Sequence, residues 1–215
     1  NTILCSLAAG NLKLNDLYHD TGFSRAKISV YLKNLMAYDI VEKISVFETG
    51  GWDNAQKGLY QIKHTLIHFW YKFVYPHMSG LYEMSTEEFY ERYIKEELND
   101  YLNRYFVKVC GEYLALLNAQ GQLAVQAVKM GVWIGKKGTI DIIAQDSVRQ
   151  NIVAICNWSE PELTDEMWKN LEFSMKQAKI KAEQYYLFSA QSFDEAIRER
   201  AEENPKIKLI DMNEL

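Results

Sequence analysis

The sequence predicts an α+β part followed by an α/β part. Three observations predict it. The first 64 residues read as helix, helix, turn, helix, strand, loop and strand, the order of a winged helix-turn-helix. From about residue 105 strands alternate with helices, which implies a layered α/β domain with a crossover and a mixed central sheet. Within that second part, a run from Asn151 to Trp158 is nearly all apolar, as expected of a central strand buried on both faces.

The first part, 1–64, is built from short elements. Thr2 to Ala9 is an apolar helix, and Leu12, Leu14 and Leu17 open a second. It stops near Thr21-Gly22, where glycine admits a positive φ. Ser24 is the expected N-cap of a third helix, in which Ile28, Leu32, Leu35 and Met36 form one apolar stripe. Its other faces carry Arg25, Lys27, Ser29, Tyr31, Lys33 and Asn34. Ile40 to Phe47 and Leu59 to Ile62 are the expected strands. The loop Gly50 to Gly58 is the expected wing, with one cation, Lys57, opposed by Asp53.

Residues 65–104 form an aromatic helical connector, with Phe69, Trp70, Phe73 and Tyr75 before Pro76 and a helical stretch from Thr86 to Leu102. Residues 105–215 begin with an apolar helix, Phe106 to Leu117, that contains Glu112. Leu123 to Ile134 reads as a strand pair or one bent strand. Gly138 to Ala144 is a strand with Asp141 inside it, and Thr164 to Ala182 a long helix. Tyr185 to Ser189, Phe193 to Glu202 and Ile207 to Asp211 complete a strand, helix and strand.

Composition bounds the function. Of 215 residues, 48% are hydrophobic and 25% charged, which excludes wholesale disorder. A net charge of −5 argues against a whole-chain nucleic-acid glove but allows a local basic patch. The first 64 residues hold seven basic and six acidic side chains and are the only part that is not acidic. Cys5, Cys110 and Cys156 are odd in number and lack metal-site spacing, which suits a reducing cytoplasm. No apolar run approaches the ~18–20 residues of a membrane span, and no membrane partner is expected. The first residue, Asn1, raises the expectation of a piece of a longer protein.

The third helix carries the first functional reading. An α-helix fits the major groove, and Arg25, Lys27, Ser29, Tyr31, Lys33 and Asn34 can reach phosphates and base edges. The last hundred residues carry the second. A helix with a Glu, a strand with an Asp and an adjacent strand is the layout of a restriction-endonuclease-like core. Such sites hold Mg²⁺ with carboxylates and place a Lys of a Glu-x-Lys pair beside the attacking water. Glu112 and Asp141 could supply carboxylates, but Ile155 and Asn157 stand where Glu and Lys belong, so both are expected to be vestigial and no metal is expected. His64 and His68 lack a third ligand, and Cys156 lacks a His partner. A phosphate-cradling glycine loop is absent.

The stretch from Tyr60-Gln61-Ile62-Lys63 to Phe69-Trp70-Tyr71-Lys72-Phe73-Val74-Tyr75-Pro76 resembles the Tyr-x-Ile-x-Asp-x-Phe-x-x-Phe-Trp-Phe-x-Phe-Val-x-Pro signature of prokaryotic, archaeal-type AAA+ ATPases. In that family the signature follows a winged helix and precedes a C-terminal domain of unknown function with a restriction-endonuclease-like fold. Ile140 to Ala144 is similar to the family's Glu-Ile-Asp-Ile-Val-Ala strand, and Val153 to Trp158 to its strand ending in Glu-x-Lys-Trp. Thr139, His64, Ile155 and Asn157 depart from the pattern. The resemblance implies a DNA-binding or regulatory C-terminal region, non-catalytic in this chain. ATP and Mg²⁺ are then expected only for an ATPase module outside these residues. The expected partners are DNA, the ATPase domain of the same or another chain, and a second copy of this chain. A Mg²⁺-dependent nuclease and a protein-docking module are the alternatives.

Overall fold

The structure, a computed structural model, describes residues 1–44, 46–47, 58–135 and 137–215. The expected wing, apart from Gly58, lies outside the described residues. The chain divides into two compact units. Among the described residues, the first gathers 1–44 and 58–98, and the second gathers Val46, Phe47 and the chain from Asn99 onward.

In the first unit, α1 (Thr2–Ala8), α2 (Leu14–Thr21) and α3 (Arg25–Ala37) precede the strands β1 (Val41–Ile44) and β2 (Leu59–Ile62). Gly22 ends α2 in the left-handed region at φ 68°, and its N–H donates to the Tyr18 carbonyl. Two residues later Ser24 caps α3 by accepting from the Lys27 N–H. The apolar stripe works as the spacing predicts: Ile28 and Leu32 are fully buried against Ile3, Leu7, Leu17, Val41 and Ile62. Val41 faces Ile62 and Ile44 faces Leu59 in an antiparallel pair. At its open end Lys63 pairs with Asp39, the residue that turns the chain out of α3 at φ 58°. That contact holds the Asp39 carboxyl below its ordinary range.

The aromatic segment begins as α4 (Thr65–Phe69), widens to a π-turn over Trp70–Val74 and tightens to a 3₁₀ turn over Tyr75–His77. Pro76 sits at the start of that last turn, where its missing N–H is harmless. Then come α5 (Gly80–Glu83) and α6 (Thr86–Tyr93), the latter opened by a reciprocal capping box of Ser85 and Glu88. The helical stretch expected to run from Thr86 to Leu102 breaks at buried Ile94. It restarts as α7 (Lys95–Ala119), which absorbs the helix expected at Phe106. Between Leu102 and Phe106 the chain has neither Gly nor Pro, so nothing local stops it.

The second unit is a mixed five-stranded sheet of order β3-β4-β5-β7-β9: β3 (Lys129–Ile134), β4 (Thr139–Gln145), β5 (Asn151–Asn157), β7 (Gln184–Ser189) and β9 (Ile207–Ile210). The β3–β4 and β4–β5 pairs are antiparallel, and the β5–β7 and β7–β9 pairs are parallel. Short β6 (Glu162–Leu163) and β8 (Ser192–Phe193) pair beside it. Helices α8 (Asp165–Ala178) and α9 (Glu195–Glu203) form the crossovers. They share one core with Val153, Leu187 and Phe47, while α7 shares the other with Ile152, Ala154, Cys156 and Phe188. Both faces of β5 are therefore apolar, and it occupies the middle of the sheet.

Only Lys129–Ile134 of the stretch expected as strand from Leu123 pairs in the sheet. The preceding residues are held by Asn118 of α7, whose amide both donates to and accepts from Ala127. The helix expected to reach Ala182 stops at Ala178, because Lys179 takes φ 57° and the Ile180 N–H returns to the Met175 carbonyl. Among the described residues, no helix is long and apolar enough to cross a membrane.

Replacing a fully buried stripe residue opens a cavity, whereas the outer face of α3 tolerates truncation. In urea unfolding, Ile28→Ala is expected to cost about 2–5 kcal/mol. Val30→Ala, at an exposed position, is expected to change stability by no more than about 0.5 kcal/mol.

Candidate functional site

Helix α3 presents the first candidate surface. Arg25, Lys27, Ser29, Tyr31, Lys33 and Asn34 are all exposed. The 100° step per residue puts Arg25, Ser29 and Lys33 along one flank and Lys27, Tyr31 and Asn34 along the other, with Ala26 and Val30 between. Arg25 is braced by α2: its guanidinium donates to Asn15 Oδ1 at 2.6 Å and lies 4.4 Å from the Tyr18 ring centre. Lys27 Nζ lies 3.7 Å from the Phe23 ring centre, and Phe23 stacks on Tyr31. Ser29 Oγ donates back to the Arg25 carbonyl. These contacts orient the first turn of α3 and leave its cations at the surface.

The second candidate lies around Asp141. Strand β4 pairs with β5 from Gln145↔Asn151 to Ile142↔Ala154. One residue further, the Asp141 carboxylate enters where a ladder acceptor would stand: Oδ2 accepts the Cys156 N–H at 2.9 Å. Next to it β4 carries an irregularity opposite Gly131 and Trp133. A cavity of about 380 Å³ opens there between β4, β5 and α8, lined by Asp141, Ile140, Ile155, Asn170, Leu171 and Ser174. Burial pushes the Asp141 carboxyl up to about 6, and the bond from the Cys156 amide holds it down in part. No charged side chain is among the causes.

The other residues of the nuclease-like reading are dispersed. Glu112 is exposed on α7. It lies about 200° around the helix from buried Cys110, the residue that faces the sheet. The structure thus does not bring Glu112 to Asp141. Ile155 packs its side chain against the core shared with α8. Asn157, where a Lys would project, is buried and fully used: Nδ2 donates to the Glu160 carbonyl and to Ser189 Oγ, and Oδ1 accepts the Glu160 N–H. Among the described residues, no group of three or more His, Cys, Asp or Glu side chains could hold a metal ion. His64 is exposed at the start of α4 while His68 is buried within it, so their spacing does not make a pair. Cys156 and Cys110 touch inside the core on the α7 side, and burial pushes the Cys156 thiol well up.

Motif spacing in the sequence does not point to Ser174 or Asn170. A signal for Ser174 exists: it interrupts the otherwise apolar stripe of Trp168, Leu171, Met175 and Ala178, and it is 2% exposed.

The raised Asp141 carboxyl has a measurable consequence. A native pKa above the unfolded 3.8 means that the folded chain holds the proton longer, so Asp141 costs stability as pH rises from about 4 to 6. Asp141→Asn keeps an oxygen for the Cys156 amide and has no charge to bury. Unfolding followed from pH 4 to 7.5 should show wild type losing on the order of 3 kcal/mol relative to Asp141→Asn, all within that window.

Residues 70–174 match the model of the DUF234 family, described as archaea bacterial proteins of unknown function. An uncharacterized protein of Methanocaldococcus jannaschii is 30% identical over 161 residues, covering 74% of this chain and 35% of that protein. The aligned region thus spans about a third of the curated relative's length. No solved structure matches the chain. The family match takes in Asp141, Ile155 and Ser174, and α3 precedes it.

Proposed function

We propose that this chain is a DNA-binding and regulatory region of a longer, AAA+-type ATPase, with no catalysis of its own. The observation that carries the proposal is the α2–turn–α3 arrangement. A left-handed glycine and a serine cap set α3 with its apolar stripe inward and Arg25, Lys27, Lys33 and Asn34 outward. That arrangement, followed by the β1–β2 pair, supports a winged helix-turn-helix reading, in which α3 enters the major groove. Support for the restriction-endonuclease-like reading of the second unit comes from its mixed sheet with helices on both faces and Asp141 at the parting of β4 and β5. Support for a longer parent comes from the relative, of which the aligned region covers 35%.

A Mg²⁺-dependent nuclease finds less support. Such a centre needs several oxygen ligands around one point. Here Glu112 faces away, Ile155 offers no ligand and Asn157 is committed to its turn. A protein-docking role for the 65–98 helices is the second reading, favoured by Leu66 at 78% and Tyr82 at 85% exposure.

Titrating a short duplex across a salt series tests the DNA reading. Lys33→Ala and Arg25→Ala should each weaken binding and reduce the salt slope by about 1. Unchanged affinity and slope in both would remove the DNA role. Incubation with supercoiled plasmid and Mg²⁺ or Mn²⁺ tests the other half. The plasmid should stay intact with wild type, and cleavage that disappears in Asp141→Ala would overturn the non-catalytic assignment.

A further inference from the structure

We infer that the cavity between β4, β5 and α8 binds a small cationic amine, its ammonium group on the Asp141 carboxylate and its apolar body on Ile155 and Met167. The inference is independent of the DNA reading. The volume, about 380 Å³, is that of a small-molecule pocket.

Two polar groups inside it are left open. Asp141 spends one oxygen on the Cys156 amide, and among the described residues no other hydrogen bond reaches its carboxylate. Ser174, 2% exposed, lines the cavity and makes no hydrogen bond among the described residues. The Gly138 backbone packs close to that hydroxyl, since a Cβ there would stand 2.4 Å from Ser174 Oγ.

Charge decides the ligand class. A half-buried carboxylate without an ion pair is costly, and a ligand that brings its own cation forms a charge-assisted hydrogen bond there. Lys137 also lines the cavity but is exposed, makes no ion pair with Asp141 among the described residues, and is not among the causes of the Asp141 shift. A divalent metal would need further oxygen ligands, and the neighbouring strand offers Ile155 in that place. The apolar walls favour an amine with a hydrocarbon body over a bare ammonium ion.

Calorimetric or ligand-observed NMR titration of the full chain tests this. The probes are benzylammonium chloride, benzyl alcohol as the neutral isostere, and MgCl₂. Benzylammonium should bind saturably in the millimolar range, and benzyl alcohol at least tenfold more weakly. Asp141→Asn should weaken benzylammonium at least tenfold and Ser174→Ala several-fold. Equal binding of alcohol and amine, full binding by Asp141→Asn, or no saturation would each overturn the assignment. So would saturable Mg²⁺ binding that displaces the amine.

Discussion

Strand β5 is apolar on both sides, and the second unit is arranged around that constraint. A strand that must leave water on two faces needs a cover on each and a hydrogen-bonding partner along each edge. Helix α7 covers the face of Ile152, Ala154 and Cys156, and α8 with α9 covers the face of Val153 and Ile155. Strands β4 and β7 take the two edges, one antiparallel and one parallel. The crossover through α8 follows, because a parallel neighbour cannot be reached by a hairpin.

The same constraint explains Asp141. Where β4 leaves β5, an amide of the central strand loses its ladder acceptor inside the sheet. A carboxylate from β4 replaces it, and the cost appears as a carboxyl raised to about 6. At the same end, Asn157 closes the strand by turning its amide into the acceptor and donors of the following bend. Two positions that would face a metal in a nuclease centre thus serve backbone hydrogen bonding. The cavity beside them keeps a carboxylate and a hydroxyl that are not fully used.

In the first unit the requirement is different. The unit is small, and its core depends on stripes of a few residues per helix, so exact helix ends matter more. Gly22, Ser24 and Asp39 set those ends, and cations of α3 rest on the rings of Tyr18 and Phe23. These contacts restrict the freedom of an exposed Arg and an exposed Lys.

Local pattern alone determined much of this. The α3 stripe, its Ser24 cap, the turn at Gly22 and the central place of the Asn151–Asn157 strand follow from spacing and from burial on two faces. So does the exposure of Arg25, Lys27 and Lys33, since whatever lies opposite the stripe faces water. The extent of α7, the break at Ile94 and the loss of strand before Lys129 were decided by packing and by Asn118, contacts distant along the chain. The site shows the division most clearly. Sequence could say that Ile155 and Asn157 are not Glu and Lys. Only the tertiary structure could turn Glu112 outward, bind Asn157 to its own bend and open a cavity between Asp141 and Ser174, because those facts depend on which faces of separate elements meet.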